Sequence, residues 1–200
     1  MKKKALACFL AASTILSMST GLTVMAADGT IDTSKSNTDR ISGGTYTDTE
    51  ADGITINDSE SGHEGIIIVD ADYTIKNATI TLNTTADGSD TCDFSGVGSA
   101  VAVYGDSNVT IDNTTIETTG VATMPIFNDS GSIVTVSNST LKSNGGTLNA
   151  AYLNTPDQTA MVAPPWILGI MGTSRCSNLM GNSSTFNVYD SETSAGRSEE

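Results

Sequence analysis

Carboxylates dominate the ionisable side chains of this 200-residue chain: 23 Asp and Glu stand against nine Lys and Arg and one His. Asp87, Asp90 and Asp93 recur at every third position in a Gly-containing stretch and form the one candidate metal set, because oxygen-rich loops hold calcium. Their spacing lacks the alternating ligands, central Gly and closing Glu of a regular calcium loop. Polar turns are therefore the competing reading, and no other cofactor is expected. Asp70 and Asp72 alternate, as neighbours on one strand face would. Lys76, Lys142 and Arg175 are the cations placed in or near apolar runs, where a solvated charge is the ordinary role. His63 adjoins Glu64 in Ser61-Gly62-His63-Glu64-Gly65, an acid-base pair by composition but a loop by its glycines. Trp166 lies in the apolar run Pro164 to Gly172; it can stack on a sugar or anchor a partner, or simply be buried with Ile167, Ile170 and Met171.

These groups act only if a scaffold holds them, and the chain begins with an export signal rather than a scaffold. Lys2, Lys3 and Lys4 precede an apolar run from Ala5 to about Leu16, and Val24-Met25-Ala26 supplies small residues for cleavage before Ala27. Residues 1–26 thus read as a signal peptide, 27–40 as a flexible lead-in, and the mature chain as secreted or held at the cell surface. The apolar run is too short and too interrupted by Ser and Thr to be a transmembrane helix. Losing three lysines and no acid takes the net charge from −14 to −17. Such a surface repels phosphate backbones and anionic lipid, so nucleic acid is not a partner. Cys92 and Cys176 are the two cysteines of the mature chain, and pairing between them is allowed but not required.

One pattern recurs: apolar, Thr, apolar, any residue, Asn, small, Thr, apolar. It spans Tyr73 to Ile80, Val109 to Ile116 and Val134 to Leu141; Ile54-Thr55-Ile56-Asn57-Asp58-Ser59 and Phe186-Asn187-Val188-Tyr189-Asp190-Ser191 are weaker copies. The apolar-Thr-apolar triplet has the period of a half-buried strand. Asn tolerates the left-handed backbone region, so Asn77, Asn113, Asn138 and, in the last copy, Asp190 are the predicted structural bends between two short strands. A further apolar run precedes each full copy: Ile66 to Val69, Ala100 to Tyr104, and Met124 to Phe127. The unit is then about three strands per coil. The bends are 36, 25 and 52 positions apart, which a strict repeat forbids and a stack of rungs with loops at its corners tolerates.

The predicted fold class is all-β, a right-handed single-stranded parallel β-helix over 41–197 with an excursion near 144–166 and another between Leu82 and Ala100. A β-sandwich is the alternative. The three bend motifs, the opening Ile41-Ser42-Gly43-Gly44-Thr45-Tyr46 and the leader resemble secreted bacterial proteins with right-handed β-helix repeats, including adhesin-like and pectate-lyase-like members. The resemblance covers about residues 40–195 and rests on structural motifs. It implies an exported, non-enzymatic surface protein that contacts polysaccharide or another cell-surface component. A fragment of a polysaccharide lyase or glycoside hydrolase and a structural spacer are its alternatives. A lyase of this resemblance needs a Lys or Arg base beside clustered carboxylates, and none of the three cations lies in such a cluster by sequence. Ser184 to Ser191 opens a fresh rung without an obvious cap after it, so the chain is expected to be an amino-terminal portion of a longer protein.

Overall fold

The computed structural model describes residues 23–26, 29–32, 40–84, 96–147 and 174–196. Apart from Arg40, which lies in a helical turn, their regular structure is strand, numbered β1 to β18 from Thr23–Ala26 to Glu192–Ala195. β1 (Thr23–Ala26) and β2 (Gly29–Asp32) form an antiparallel pair on either side of the expected cleavage point, and the rest of the expected leader lies outside the described residues. Among the described residues no helix is long and apolar enough to cross a membrane.

The remaining strands build three sheets whose neighbours come from successive coils. Sheet one stacks β7 (Ile66–Val69), β10 (Ser99–Tyr104), β13 (Met124–Asn128) and β16 (Ser177–Leu179). Sheet two stacks β5 (Glu50–Asp52), β8 (Asp72–Lys76), β11 (Asn108–Asp112), β14 (Ile133–Ser137) and β17 (Thr185–Tyr189). Sheet three stacks β6 (Thr55–Asp58), β9 (Thr79–Asn83), β12 (Thr115–Thr119), β15 (Thr140–Asn144) and β18 (Glu192–Ala195). Every pairing within these stacks is parallel, which replaces the antiparallel sheets of a sandwich by a solenoid-like stack.

Alternation explains which side chains are inside. In sheet two Tyr73, Val109 and Val134 form one inward column and Ile75, Ile111 and Val136 another; Ile80, Ile116 and Leu141 do the same in sheet three. Sheet one departs from alternation. All residues of β10 and β13 are buried, and Ala102, Tyr104, Met124 and Phe127 form a second apolar cluster beside the central core. Continuous apolar runs such as Ala100 to Tyr104 suit a strand covered on both faces.

Between sheets two and three the chain turns in two residues every time, at 53–54, 77–78, 113–114, 138–139 and 190–191. Asn77, Asn113, Asn138 and Asp190 lie there with φ of 53°, 46°, 49° and 46°. The first coil corrects one register. Asp52 pairs with Lys76 and Thr55 with Thr79, so Gly53 (φ 68°) occupies the bend and Ile54-Thr55-Ile56 follows it. An apolar-Thr-apolar run fits either side of a corner, and only the residue able to take positive φ fixes the register.

The opening Ile41–Tyr46 is not a rung. β3 (Ile41–Ser42) runs antiparallel to β6 and β4 (Thr45–Tyr46) antiparallel to β5, laying Ile41 and Tyr46 over the first coil's core. This closes one end of the stack.

Candidate functional site: the outer face of sheet two

The outward side chains of sheet two fall into three columns set by the register. Asp72, Asn108, Ile133 and Thr185 form the first; Glu50, Thr74, Thr110, Thr135 and Asn187 the second; Asp52, Lys76, Asp112, Ser137 and Tyr189 the third. Short corners flank this face: two residues on one side and, on the other, 70–71, 105–107, 129–132 and 180–184. Nothing in those corners is long enough to fold back over the sheet.

Where the face meets the segment after β4, it dips into an open groove of about 580 Å³ lined by Thr47, Thr49, Glu50, Asp72, Tyr73, Thr74, Asn108 and Thr110. All eight bear a hydroxyl, carboxylate or amide. The wall is fixed from below. Tyr73 is buried against Tyr46, with ring centroids 6.5 Å apart, and its hydroxyl donates to the Thr47 carbonyl at 3.1 Å. The Thr47 hydroxyl in turn accepts the Glu50 amide at 3.1 Å, closing the turn that carries Thr49.

The cation nearest the groove is already engaged. Lys76 donates to Glu50 at 2.6 Å and lies 3.6 Å from Asp52, and the Glu50 hydrogen bond holds its ammonium above the ordinary Lys range. Lys142 donates to Glu117 on sheet three at 2.9 Å. Arg175 lies just before β16, away from both.

A second polar cluster sits beside the closed end. Asp58 is buried and receives Arg40, while its other oxygen lies 2.9 Å from His63 Nδ1; Arg40 also reaches Glu60, whose carboxylate is 3.3 Å from His63 Nε2. Burial pushes the Asp58 carboxyl up, but the Glu60 amide, His63 and Arg40 outweigh it and hold the group below the ordinary range. His63 lies in a loop, as its flanking glycines suggest, and its ring meets Asp58 and Glu60, because the turn at 59–63 folds the imidazole back on the end of β6. Both ring nitrogens face carboxylates and the cluster ties Arg40 down, which is the work of a clasp on the closing strands.

Among the described residues no three His, Cys, Asp or Glu side chains gather as metal ligands. Asp87, Asp90, Asp93 and Trp166 lie outside the described residues, as does Cys92. Asp70 is not on a strand face with Asp72. It takes a corner position with φ 50°, where its carboxylate accepts the Asp106 amide at 3.0 Å. Cys176 carries a free thiol that donates to the Ser194 carbonyl at 2.8 Å, and burial pushes its pKa up.

The groove escaped the sequence reading because its residues come from three coils, between Thr47 and Thr110. Aligning the bends at a spacing of 36 would have brought Asp72 to Asn108 and Thr74 to Thr110, the part of the lining on β8 and β11, but not the first-coil residues Thr47, Thr49 and Glu50. Comparison of the chain with protein-family models, with curated proteins and with solved structures gave no match.

Proposed function

We propose that this protein is an exported right-handed β-helix that holds an extended, uncharged polysaccharide on the outer face of sheet two without cleaving it. The observation that carries the reading is the groove with eight polar lining residues and no cation among them. Hydroxyl, amide and carboxylate groups are the partners sugar hydroxyls require, and a lining without positive charge disfavours uronic-acid polymers. The parallel rungs repeat about every 4.8 Å, close to the advance per sugar of an extended, equatorially linked glycan, so successive sugars meet chemically similar positions. Right-handedness accords with the strong preference of parallel strand-crossover-strand connections for that hand. The leader supports export.

A lyase reading needs a base able to shed its proton near neutral pH. Lys76 is instead paired with Glu50 and Asp52 and has its pKa raised, which makes it a poor base. The spacer reading predicts no glycan contact at all.

The test is retention of the mature chain, residues 27–200, on neutral polysaccharides (cellulose, xylan, mannan, chitin) and on polygalacturonate and alginate, with and without calcium, while new reducing or unsaturated ends are monitored. Retention on a neutral polymer, without new ends and reduced at least ten-fold in Asn108→Ala, is expected. Preference for a polyuronate or release of chain ends overturns the proposal, and retention nowhere favours the spacer.

A further inference from the structure

We propose that the outer face of sheet two selects, among neutral glycans, those whose successive sugars carry an acetyl group. The inference rests on the glycan reading of this face and narrows its substrate class. Along the stack the second column, Thr74, Thr110, Thr135 and Asn187, forms a polar centre line. Its borders change character. On β8 and β11 they are Asp72 and Asn108 on one side and Lys76 and Asp112 on the other, all polar. On β14 and β17 each rung sets one large apolar side chain opposite one hydroxyl, and the two exchange sides. Ile133 holds the first border and Ser137 the other on β14, whereas Thr185 holds the first border and Tyr189 the other on β17. Ile133 is 42% and Tyr189 57% exposed. Ile133 has Asn108 before it and Thr185 after it in its column, so its exposure belongs to the face and not to an end of the stack. The other exposed large apolar side chains among the described residues, Leu179 and Val188, lie in sheet one and in an inward column.

This alternation matches the chemistry of an extended, equatorially linked glycan. In such a chain each sugar is turned over relative to the last, so the edge with the 2-substituent and the edge with the hydroxymethyl group change sides at every residue. A chain lying on the centre line and advancing one sugar per rung presents its 2-substituent to Ile133 on β14 and to Tyr189 on β17. The hydroxymethyl groups then meet Ser137 and Thr185. The two borders are four residues apart along a strand, about 13 Å, which leaves a sugar ring room between them. A free 2-hydroxyl gains nothing from an isoleucine side chain or the face of a phenol ring. An acetyl methyl buries apolar surface on either. Ser137 donates its hydroxyl proton to Asp112 at 2.6 Å, which leaves its oxygen free to accept from a hydroxymethyl group.

The experiment is calorimetric titration of the mature chain with N-acetylchitohexaose and with cellohexaose, uncharged hexaoses that differ only in the 2-substituent. The parent is expected to bind the acetylated hexaose about five-fold more tightly, or better. Ile133→Ser and Tyr189→Ser should each cut that preference by about two-fold or more while leaving cellohexaose affinity nearly unchanged, and Ile133→Val should retain it. Asn108→Ala, in the groove, should weaken both hexaoses alike. Equal affinity of the parent for the two, with Asn108→Ala still weakening both, overturns the acetyl assignment and leaves the glycan reading standing. Equal loss of both hexaoses in an Ile133→Ser protein that melts like the parent also overturns it. Binding of neither hexaose overturns the inference, and retention on another neutral polysaccharide then decides the glycan reading separately.

Discussion

The corner between sheets two and three and the corner between sheets three and one belong to the same coils and obey opposite rules. The first is always two residues long. Along the second side, 7 residues separate β6 from β7 and 4 separate β12 from β13, while 15 separate β9 from β10 and 32 separate β15 from β16, most of these last two stretches lying outside the described residues. The irregular bend spacings of 36, 25 and 52 arise almost entirely at that second corner. Where two N–H groups and a hydroxyl must meet partners one rung away, an extra residue leaves buried polar groups unpaired. Where the chain merely returns to the start of the next rung, added length costs only slowly growing loop entropy. The fold has kept one corner as its gauge and left the other free to vary.

The most severe way to break this contrast is to lengthen each corner in turn, the variable one by more. One glycine inserted between Asn113 and Thr114 shifts everything that follows by one residue, turning Ile116 and Thr118 outward, and is expected to abolish the cooperative thermal transition. Two glycines after Thr147, in the variable corner, are expected to lower stability by less than about 1 kcal/mol. Equal losses in circular-dichroism melts would refute the distinction.

A single atom tests it next. Thr114→Val keeps the shape of this buried residue but removes the acceptor of the Ala78 amide, and should cost about 1–3 kcal/mol in denaturant unfolding. Thr119→Val, at the edge of the variable corner, loses only the bond its hydroxyl accepts from the Asn144 amide, which also reaches Glu117, and is expected to cost less than about 1 kcal/mol. Backbone strain sharpens the point: Asn113→Val places a β-branched residue at φ 46° and is expected to cost about 2 kcal/mol or more. Asn113→Gly relieves the strain while losing the hydrogen bond to Asn77, and should fall within about 1 kcal/mol of the parent.

The smallest expected effect is electrostatic. The Ser137 hydroxyl and the Asn138 amide hold the Asp112 carboxyl below its ordinary range. A carboxylate with a depressed folded pKa contributes stability that is fully present above its unfolded value, about 3.9, and fades as pH falls through the folded value. Melting curves from pH 6 to pH 2 should therefore show less acid destabilisation in Asp112→Asn than in the parent. Identical curves would remove Asp112 from the corner's bonding.

The parallel stack was legible because its cause is local: two apolar residues flanking a Thr give the strand, and an Asn able to take positive φ gives the corner. β16 was not legible. Its sequence Ser177-Asn178-Leu179 is polar, and it is a strand only because β13 offers it a parallel edge. The hydroxyl ladder hid for another reason. Ala78, Thr114, Ser139 and Ser191 share only small size, and their role emerges one coil away: the amides of the first three donate to the hydroxyls of Thr114, Ser139 and Ser191 in turn. The antiparallel pairing of β3 and β4, inside the span read as β-helix, was not legible, since nothing in Ile41 to Tyr46 marks the direction of pairing. Of the candidate site, Lys76 was noticed while the groove beside it was not, because its walls are assembled across coils.

The ladder of amides and hydroxyls runs along the axis of the stack, and this gives the molecule a direction under load. Tension applied along that axis meets one rung's hydrogen bonds at a time, so the described stack should lengthen by releasing single coils. The coil clasped by Arg40, Asp58 and His63 adds side-chain ion pairs to these bonds. Such a stack behaves as a spring that gives way coil by coil, spreading a pull over many small steps.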